Sequence, residues 1–387
     1  SFATAVALNG FVLKNGAAAD GASVWNAEKL SMPATTFTGN TATGNGGALY
    51  NSANSATIAS ASVILTDPVF SSNTAANGGA IYSNAPLDIQ SATFDNNTAS
   101  ASGGAIYNTN STTATVSDST FSSNTAANGG AIYNSLSTTT VTGASFTQNS
   151  ATGKGGAVYA YRGAVTLTNV TLSGNTATSS GGAVYSGQYG YGTTLNIYNS
   201  TIAYNSANGS GGGIACPYTT LTISSSIIGY NAASSAPDLS GTSGVTADHT
   251  LVATQAGHSL TDGVDFNIIG QEPLLDTLRD NGGIGLTHML MAASPCIGTG
   301  INTLALTTDQ RGTGFPRVAG AAIDMGALET DTGLANGTWL VDTTADVVNP
   351  GDGLTSLREA INNSLSNAVI NFDPTVFPDP TAGTITL

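Results

Sequence analysis

Phe121-Ser122-Ser123-Asn124-Thr125-Ala126-Ala127-Asn128-Gly129-Gly130-Ala131-Ile132-Tyr133-Asn134 is the stretch whose reading decides the fold of this chain. Its skeleton is an aromatic residue, an asparagine three positions on, a spacer of small polar residues, and a glycine pair followed by Ala-Ile-Tyr-Asn. The skeleton recurs. The aromatic position is Phe37, Phe70, Phe94, Phe121 and Phe146, and then Leu172, Ile202 and Ile228 take its place. The paired asparagine is Asn40, Asn73, Asn97, Asn124, Asn149, Asn175, Asn205 and Asn231. The glycine pair stands at 46–47, 78–79, 103–104, 129–130, 155–156, 181–182 and 212–213, with four of the six intervals 25 or 26 residues and the other two 32 and 31. A worn first copy is read with Val12 and Asn15 in the aromatic and asparagine places, followed by Gly21-Ala22-Ser23-Val24-Trp25-Asn26. A fixed period in this range is the mark of a solenoid, with long insertions confined to loops.

Between the tyrosine of one copy and the aromatic of the next lie alternating stretches such as Thr113-Ala114-Thr115-Val116-Ser117 and Val165-Thr166-Leu167-Thr168. Period-two alternation of β-branched and polar residues, bounded by Gly and Asn, reads as strand. About three short strands per copy, each burying one face, predict an all-β parallel β-helix with one coil per copy and strands about 4.8 Å apart. Like residues then stand over like. The Phe positions and Val24, Leu49, Ile81, Ile106, Ile132, Val158, Val184 and Ile214 are expected inside. The repeated Asn is expected at turns, bonding backbone of its own or the next coil, and the glycine pair at a corner with positive φ. Alternation then points Tyr50, Tyr82, Tyr107, Tyr133, Tyr159 and Tyr185 outward as an aromatic stripe. Self-stacking that stabilises the sheet is the preferred reading of that stripe; sugar stacking or subunit packing is the alternative. Leucine-rich repeats share the period but not the Leu-x-x-Leu-x-Leu skeleton, which is missing here.

Composition narrows the partners. Only 8% of the 387 residues are charged while 40% are hydrophobic, so the chain can bury a core and does not read as disordered. Of the net charge of −15, residues 1–230 carry −2 and residues 231–387 carry −13. So few Lys and Arg on an acidic chain argue against nucleic acid and anionic membrane, and no apolar run is long enough to span a bilayer. Cys216 and Cys296 are expected as two buried free thiols rather than a bridge. Ser1 opens directly into repeat-like sequence, so the chain is expected to be a slice of a larger array or a processed product.

Three organisational segments follow: regular coils over 1–235, an irregular closing continuation over 236–335, and a capping segment over 336–387. In the last, Ser356 and Glu359 form a capping box, and Leu357, Ala360, Ile361 and Leu365 recur at helical spacing, predicting a helix over 356–365. An apolar-faced helix of this kind suits the open end of a solenoid, whose terminal coil leaves unpaired strand edges.

Three family resemblances attach to these residues. The Phe-x-x-Asn and Gly-Gly-Ala-Ile pairing over roughly 10–235 resembles the polymorphic outer membrane protein repeat of chlamydial and other bacterial surface proteins. Asp280-Asn281-Gly282-Gly283, Thr287-His288, Ser294-Pro295-Cys296-Ile297, Thr308-Asp309-Gln310-Arg311-Gly312, Arg317 and Ile323-Asp324-Met325-Gly326-Ala327-Leu328-Glu329 resemble the choice-of-anchor Q domain, with Cys296 and Gly298 replacing its usual Ala and Asp. Thr355-Ser356-Leu357-Arg358-Glu359-Ala360 is similar to the CSLREA element, with Thr355 in place of its Cys. These resemblances imply a right-handed β-helix on the surface of a bacterium or archaeon, and bring no catalytic mechanism. A CSLREA element normally opens a β-helix unit; here it closes the chain. The expectation is a tandem array, or a C-terminal segment that caps the first coil of the next subunit in a head-to-tail fibre.

Candidate chemistry is sparse. Polysaccharide lyases and hydrolases on this fold need clustered carboxylates on neighbouring coils, and Asp67, Asp88, Asp95 and Asp118 do not make such a ladder. In the acidic third, Asp309 with Arg311 and Arg317 with Asp324 are candidate pairs, read as a structural network closing the solenoid. His249, His258 and His288 lack zinc spacing. Asp342, Asp346 and Asp352 flank the Pro350-Gly351 turn and could hold Ca²⁺ through oxygen ligands, though solvated loop acids are the preferred reading; no other cofactor is expected. The chain thus reads as a non-enzymatic extracellular building block of a surface fibre, stalk or filament. The alternatives are an adhesin or carbohydrate-binding module engaging glycans or a cell surface, and then a polysaccharide lyase or glycoside hydrolase.

Overall fold

The computed structural model describes residues 6–53, 61–187, 189–241, 244–318, 322–330, 338–341, 343–345, 356–363, 369–373 and 376–377. The repeats form a parallel β-solenoid of about nine turns. Each coil is closed by four strand segments, of which the coil around Phe121 is representative. Thr120–Ser122 carries the Phe, Thr125–Ala126 follows an Asn corner, Ile132–Ser135 carries the Ile and Tyr, and Ser137–Thr147 returns through a bend to the next Phe. Every strand pairs in parallel with its counterpart one coil away. Phe37, Phe70, Phe94, Phe121 and Phe146 pair in direct register, and the column continues through Leu172, Ile202, Ile228, Val252 and Ile269. Coils therefore persist beyond residue 235, with shorter strands, as far as Ile268–Ile269.

The Phe rings are wholly buried and stack with centroids 4.5, 4.9, 4.7 and 4.5 Å apart and planes within 5° of parallel. That spacing is the hydrogen-bonding distance between strands, so backbone pairing and ring stacking are satisfied by one translation. Burying each ring stabilises the fold by about 1.5–3 kcal/mol. The column of Val24, Leu49, Ile81, Ile106, Ile132, Val158, Val184, Ile214 and Leu239 faces it across the core.

The two glycines of each pair are required for different reasons. The first has positive φ, as at Gly46 (63°), Gly78 (60°) and Gly129 (60°), where a side chain is strained, and a Cβ there would also meet its own coil, 2.4 Å from the Ile132 carbonyl oxygen at Gly129. The second meets the neighbouring coil: a Cβ on Gly130 would sit 2.1 Å from the carbonyl oxygen of Gly156. The seventh pair lies at 211–212 rather than 212–213, because Gly211 has the positive φ (65°) and Gly213 takes the Ala position.

The first coil also differs from expectation by one residue. Leu13, not Val12, pairs with Phe37, and Gly16, not Asn15, stands in the Asn position, donating its N–H to Asn40 Oδ1 at 2.9 Å. The corner before each Asn is left-handed, as at Ser72 (56°), Asn96 (55°) and Ser123 (55°), and Asn15 (55°) occupies that corner. Asn is among the few residues that tolerate this conformation, which explains why it stands there.

After Ile269 the chain turns back over the solenoid. Residues 270–318 and 322–330 run as an irregular return segment across the outer face of the Phe strands. Ala203, Ile227 and Leu251, outward-facing on their coils, pack with Leu275, Leu290, Cys296 and Met325 into a second core outside the first. Cys216, in the main core, and Cys296 are both buried free thiols. Residues Thr338–Val341, Leu357–Asn363 and Val369–Phe372 make a small βαβ unit with parallel strands. The helix runs over 357–363; 364–365 and the Glu359 side chain lie outside the described residues. Ser356 is buried and its carbonyl accepts the Ala360 N–H at 2.9 Å, while Ile361, expected on the apolar face, is 46% exposed. Asp342, Asp346 and Asp352 lie outside the described residues.

Candidate functional surfaces

The asparagine column is a hydrogen-bonded ladder. In Asn40, Asn73, Asn97, Asn124, Asn149, Asn175 and Asn205, both the backbone N–H and the side-chain amide donate to the side-chain oxygen of the Asn one coil on. The second amide hydrogen goes back to a carbonyl of the preceding coil, as from Asn97 to Phe70 at 2.9 Å and from Asn124 to Phe94 at 3.0 Å. All of these side chains are fully buried, and a buried amide is tolerated because both of its ends are satisfied. The column ends at Asp238, whose Oδ1 takes both donors of Asn231, at 3.2 and 2.9 Å. Burial raises the Asp238 carboxyl above its ordinary value.

The aromatic stripe is built as expected at one end and differently at the other. Trp25, Tyr50, Tyr82, Tyr107 and Tyr133 stack along the axis, the tyrosines 5.0 Å apart with planes 8–17° from parallel. Because the rings lie face to face, each covers its neighbour, and the stripe offers solvent edges and hydroxyls rather than ring faces. Tyr159 and Tyr185, expected to be exposed, are buried at 5% and 6%. The reason is local: Tyr161 folds against Tyr133 and Tyr159, and Lys154 lies over the Tyr185 ring and donates to its hydroxyl at 3.1 Å. Burial raises the phenol of Tyr82 to about 12 and those of Tyr50, Tyr107, Tyr133 and Tyr159 in the same direction.

The acidic candidates are spent on structure. Asp88 accepts from Thr115 and Asp95 from Ser122, each on a neighbouring rung. In the return segment Asp309 pairs with Arg311 at 2.7 Å, as expected. Arg317, wholly buried, pairs with Glu329 at 3.0 Å, not with the Asp324 carboxylate; from Asp324 it takes the backbone carbonyl. The Asp324 carboxylate instead accepts the N–H groups of Gly298 and Thr330, which leaves Glu329 to balance the guanidinium. His288 is buried, its Nδ1 against the Asp276 carbonyl at 2.7 Å and its Nε2 against the Ser173 hydroxyl at 3.0 Å. A carbonyl only accepts, so Nδ1 carries the proton. Among the described residues no three of His, Cys, Asp and Glu are placed to share a metal ion.

The repeat type follows from the register of these columns together with a family match. Chlamydia polymorphic membrane protein repeats match residues 34–52, 69–84, 91–109, 118–135, 143–161 and 169–187. Six of the coils match the polymorphic membrane protein repeat. Each match takes in the strand of the Phe column, the Asn corner, the glycine pair and the Tyr strand, so the polymorphic membrane protein signature covers the two inward columns, the Asn rung and the glycine corner. The repeat family is one of non-enzymatic surface proteins. No curated protein and no solved structure matches the chain.

One surface escaped the reading of the sequence. Tyr198, Ser224 and Asp248 face outward on successive coils in direct register, beside Asn196, Thr222 and Thr246 in the next column. Their spacings of 26 and 24 residues follow the repeat period, so the column could have been found by extending the period through the long strands.

Proposed function

We propose that this chain is a non-enzymatic segment of an extracellular surface structure, in which β-solenoid units stack end to end into a fibre or stalk on a bacterial cell. The observation that carries the proposal is the direct register of the core columns from Leu13 to Ile269, a register that a further unit of the same repeat can continue. The columns run to the first described coil: Leu13 stands in the Phe column, Trp25 continues the outward tyrosine stack 6.3 Å from Tyr50, and Val12, Phe11 and Trp25 add exposed apolar surface beside them. Unpaired strand edges with apolar neighbours pair with whatever matches their register. The βαβ unit at 338–372, which resembles an opening cap, supplies the other side of that contact, and a heterologous contact of this kind does not close on itself.

Electron microscopy and sedimentation of the chain test this. End-to-end rods that disappear in Trp25→Asp/Val12→Asp are the expected result. Monomers alone at high concentration overturn the proposal.

A further inference from the structure

The last coils and the return segment enclose a groove that no ladder explains. On its floor lie Tyr198, Ser224 and Asp248, stacked on three successive rungs; its wall is Thr303 and Leu304 of the return segment, and Asp265 closes one end. The cavity is about 380 Å³. Past His249, whose Nδ1 bonds Asp248 at 2.6 Å and whose ring stacks on the exposed Phe266 at 4.6 Å, a second hollow of about 480 Å³ continues beside Asp262. Both volumes fall in the range of small-ligand sites, which are concave and carry a few convergent polar groups beside aromatic surface.

Ser224 is the telling residue. Its side chain is 5% exposed, lines the groove, and its Oγ has no hydrogen-bond partner. The equivalent outward positions nearer the N-terminus are Ser117, Thr142 and Thr168, so a small polar residue is usual in this column; what sets Ser224 apart from those three is a buried hydroxyl without a partner, which is costly to leave unpaired. A turn of the Ser224 side chain about χ1 toward the groove would let a ligand hydroxyl satisfy it.

We propose that this groove binds a neutral oligosaccharide lying along the solenoid axis, with a sugar face on Tyr198, ring hydroxyls on Ser224, and the Asp248 and Asp265 carboxylates accepting from the next sugar. The chemistry selects this class. Lys and Arg are absent from the residues lining either hollow, while Asp248, Asp262 and Asp265 are present, so an acidic polymer is repelled. Carboxylates take hydroxyl donors in pairs, which suits vicinal diols. Three rungs span about 10 Å, long enough for more than one sugar. The site is separate from the tyrosine stack, whose rings cover one another.

Saturation-transfer NMR of the full chain with cellohexaose, maltohexaose and mannohexaose tests the proposal, with hexagalacturonate and hexalysine as charged comparators. At least one neutral hexaose binds, and Tyr198→Ala and Asp265→Asn each weaken it about tenfold or more. Ser224→Ala weakens it too, without lowering the thermal midpoint, since it removes an unpaired buried group. Tyr107→Ala, on the stack, leaves binding unchanged. The proposal is overturned if no neutral hexaose binds at millimolar concentration, if hexalysine alone binds, or if binding survives Tyr198→Ala in a folded variant.

Discussion

The side-chain amide of Asn124 donates to Asn149 Oδ1 at 2.9 Å, and the same oxygen accepts the Asn124 backbone N–H at 3.0 Å. One side chain of the next coil thus satisfies two donors at a fully buried corner. Asn124→Ala strands the Asn97 donors, the Phe94 carbonyl and part of Asn149, and should cost about 2–4 kcal/mol by denaturant unfolding. Asn124→Asp keeps the shape but turns an amide donor into an acceptor against two acceptors. Burial raises such a carboxyl, so its cost is greatest at neutral pH and shrinks in acid as the group protonates. Equal unfolding midpoints for this variant across that range would contradict the ladder.

Gly130 and Gly129 are adjacent but should respond differently to substitution. Gly130→Ala drives a methyl into the Gly156 carbonyl, a backbone atom that cannot move without breaking the pairing of two coils. Gly129→Asn is tolerated better than Gly129→Val, since Asn accepts positive φ and a β-branched residue does not. Thermal melts ranking Gly129→Val as no worse than Gly129→Asn would refute the role of the positive φ.

His288 makes the return segment sensitive to mild acid. Burial holds its pKa below the ordinary 6.5. A group with a depressed native pKa binds fewer protons folded than unfolded, so its stabilisation is complete above about 6.5 and is lost as pH falls below it. Hydrogen exchange of Thr287–Met291, corrected for intrinsic rates, should accelerate relative to the Phe121 coil on going from neutral to mildly acidic buffer. The His288→Gln variant should lose that dependence.

Tyrosine ionisation should limit stability at the alkaline end. Burial raises Tyr82 from 10.0 to about 12. The native chain retains its phenol protons where the unfolded chain loses them, so stability is complete below about 10 and declines as pH rises toward 12. A spectrophotometric titration should show the stacked tyrosines ionising late and together with loss of β-sheet circular dichroism; ionisation at ordinary pH with the fold intact would contradict the partial burial of their phenols.

The main columns were legible in the sequence because each is local: Phe121, Asn124 and Ile132 lie within twelve residues, and each repeats against copies of itself. The errors have physical causes. Val12 and Leu13 are both apolar, so only the corner geometry of Asn15 fixes the register. Tyr159 and Tyr185 follow the stripe pattern, but what buries them is Tyr161 and Lys154, which belong to no repeat column. The partners of the return segment are far apart in sequence: Ser173 meets His288 across 115 residues and Thr171 meets Gln310 across 139. No periodicity announces such contacts. Arg317 was assigned to the nearer carboxylate, and the backbone N–H groups that occupy Asp324 have no signature in side-chain identity.

The asparagine ladder begins at Gly16, which has no side chain to receive a donor, and ends on Asp238, which accepts without passing a donor on in the same way. From the Phe37 coil to the Phe146 coil each rung offers its neighbour the same ring, amide and glycine corner. A gene encoding such a series can lose or duplicate one whole unit by slippage between near-identical segments, and the protein that results meets the same amide, ring and glycine carbonyl on either side of the join. Adding or removing a whole coil in that stretch would change the length of the solenoid while leaving each junction sound, and the two stops would be untouched.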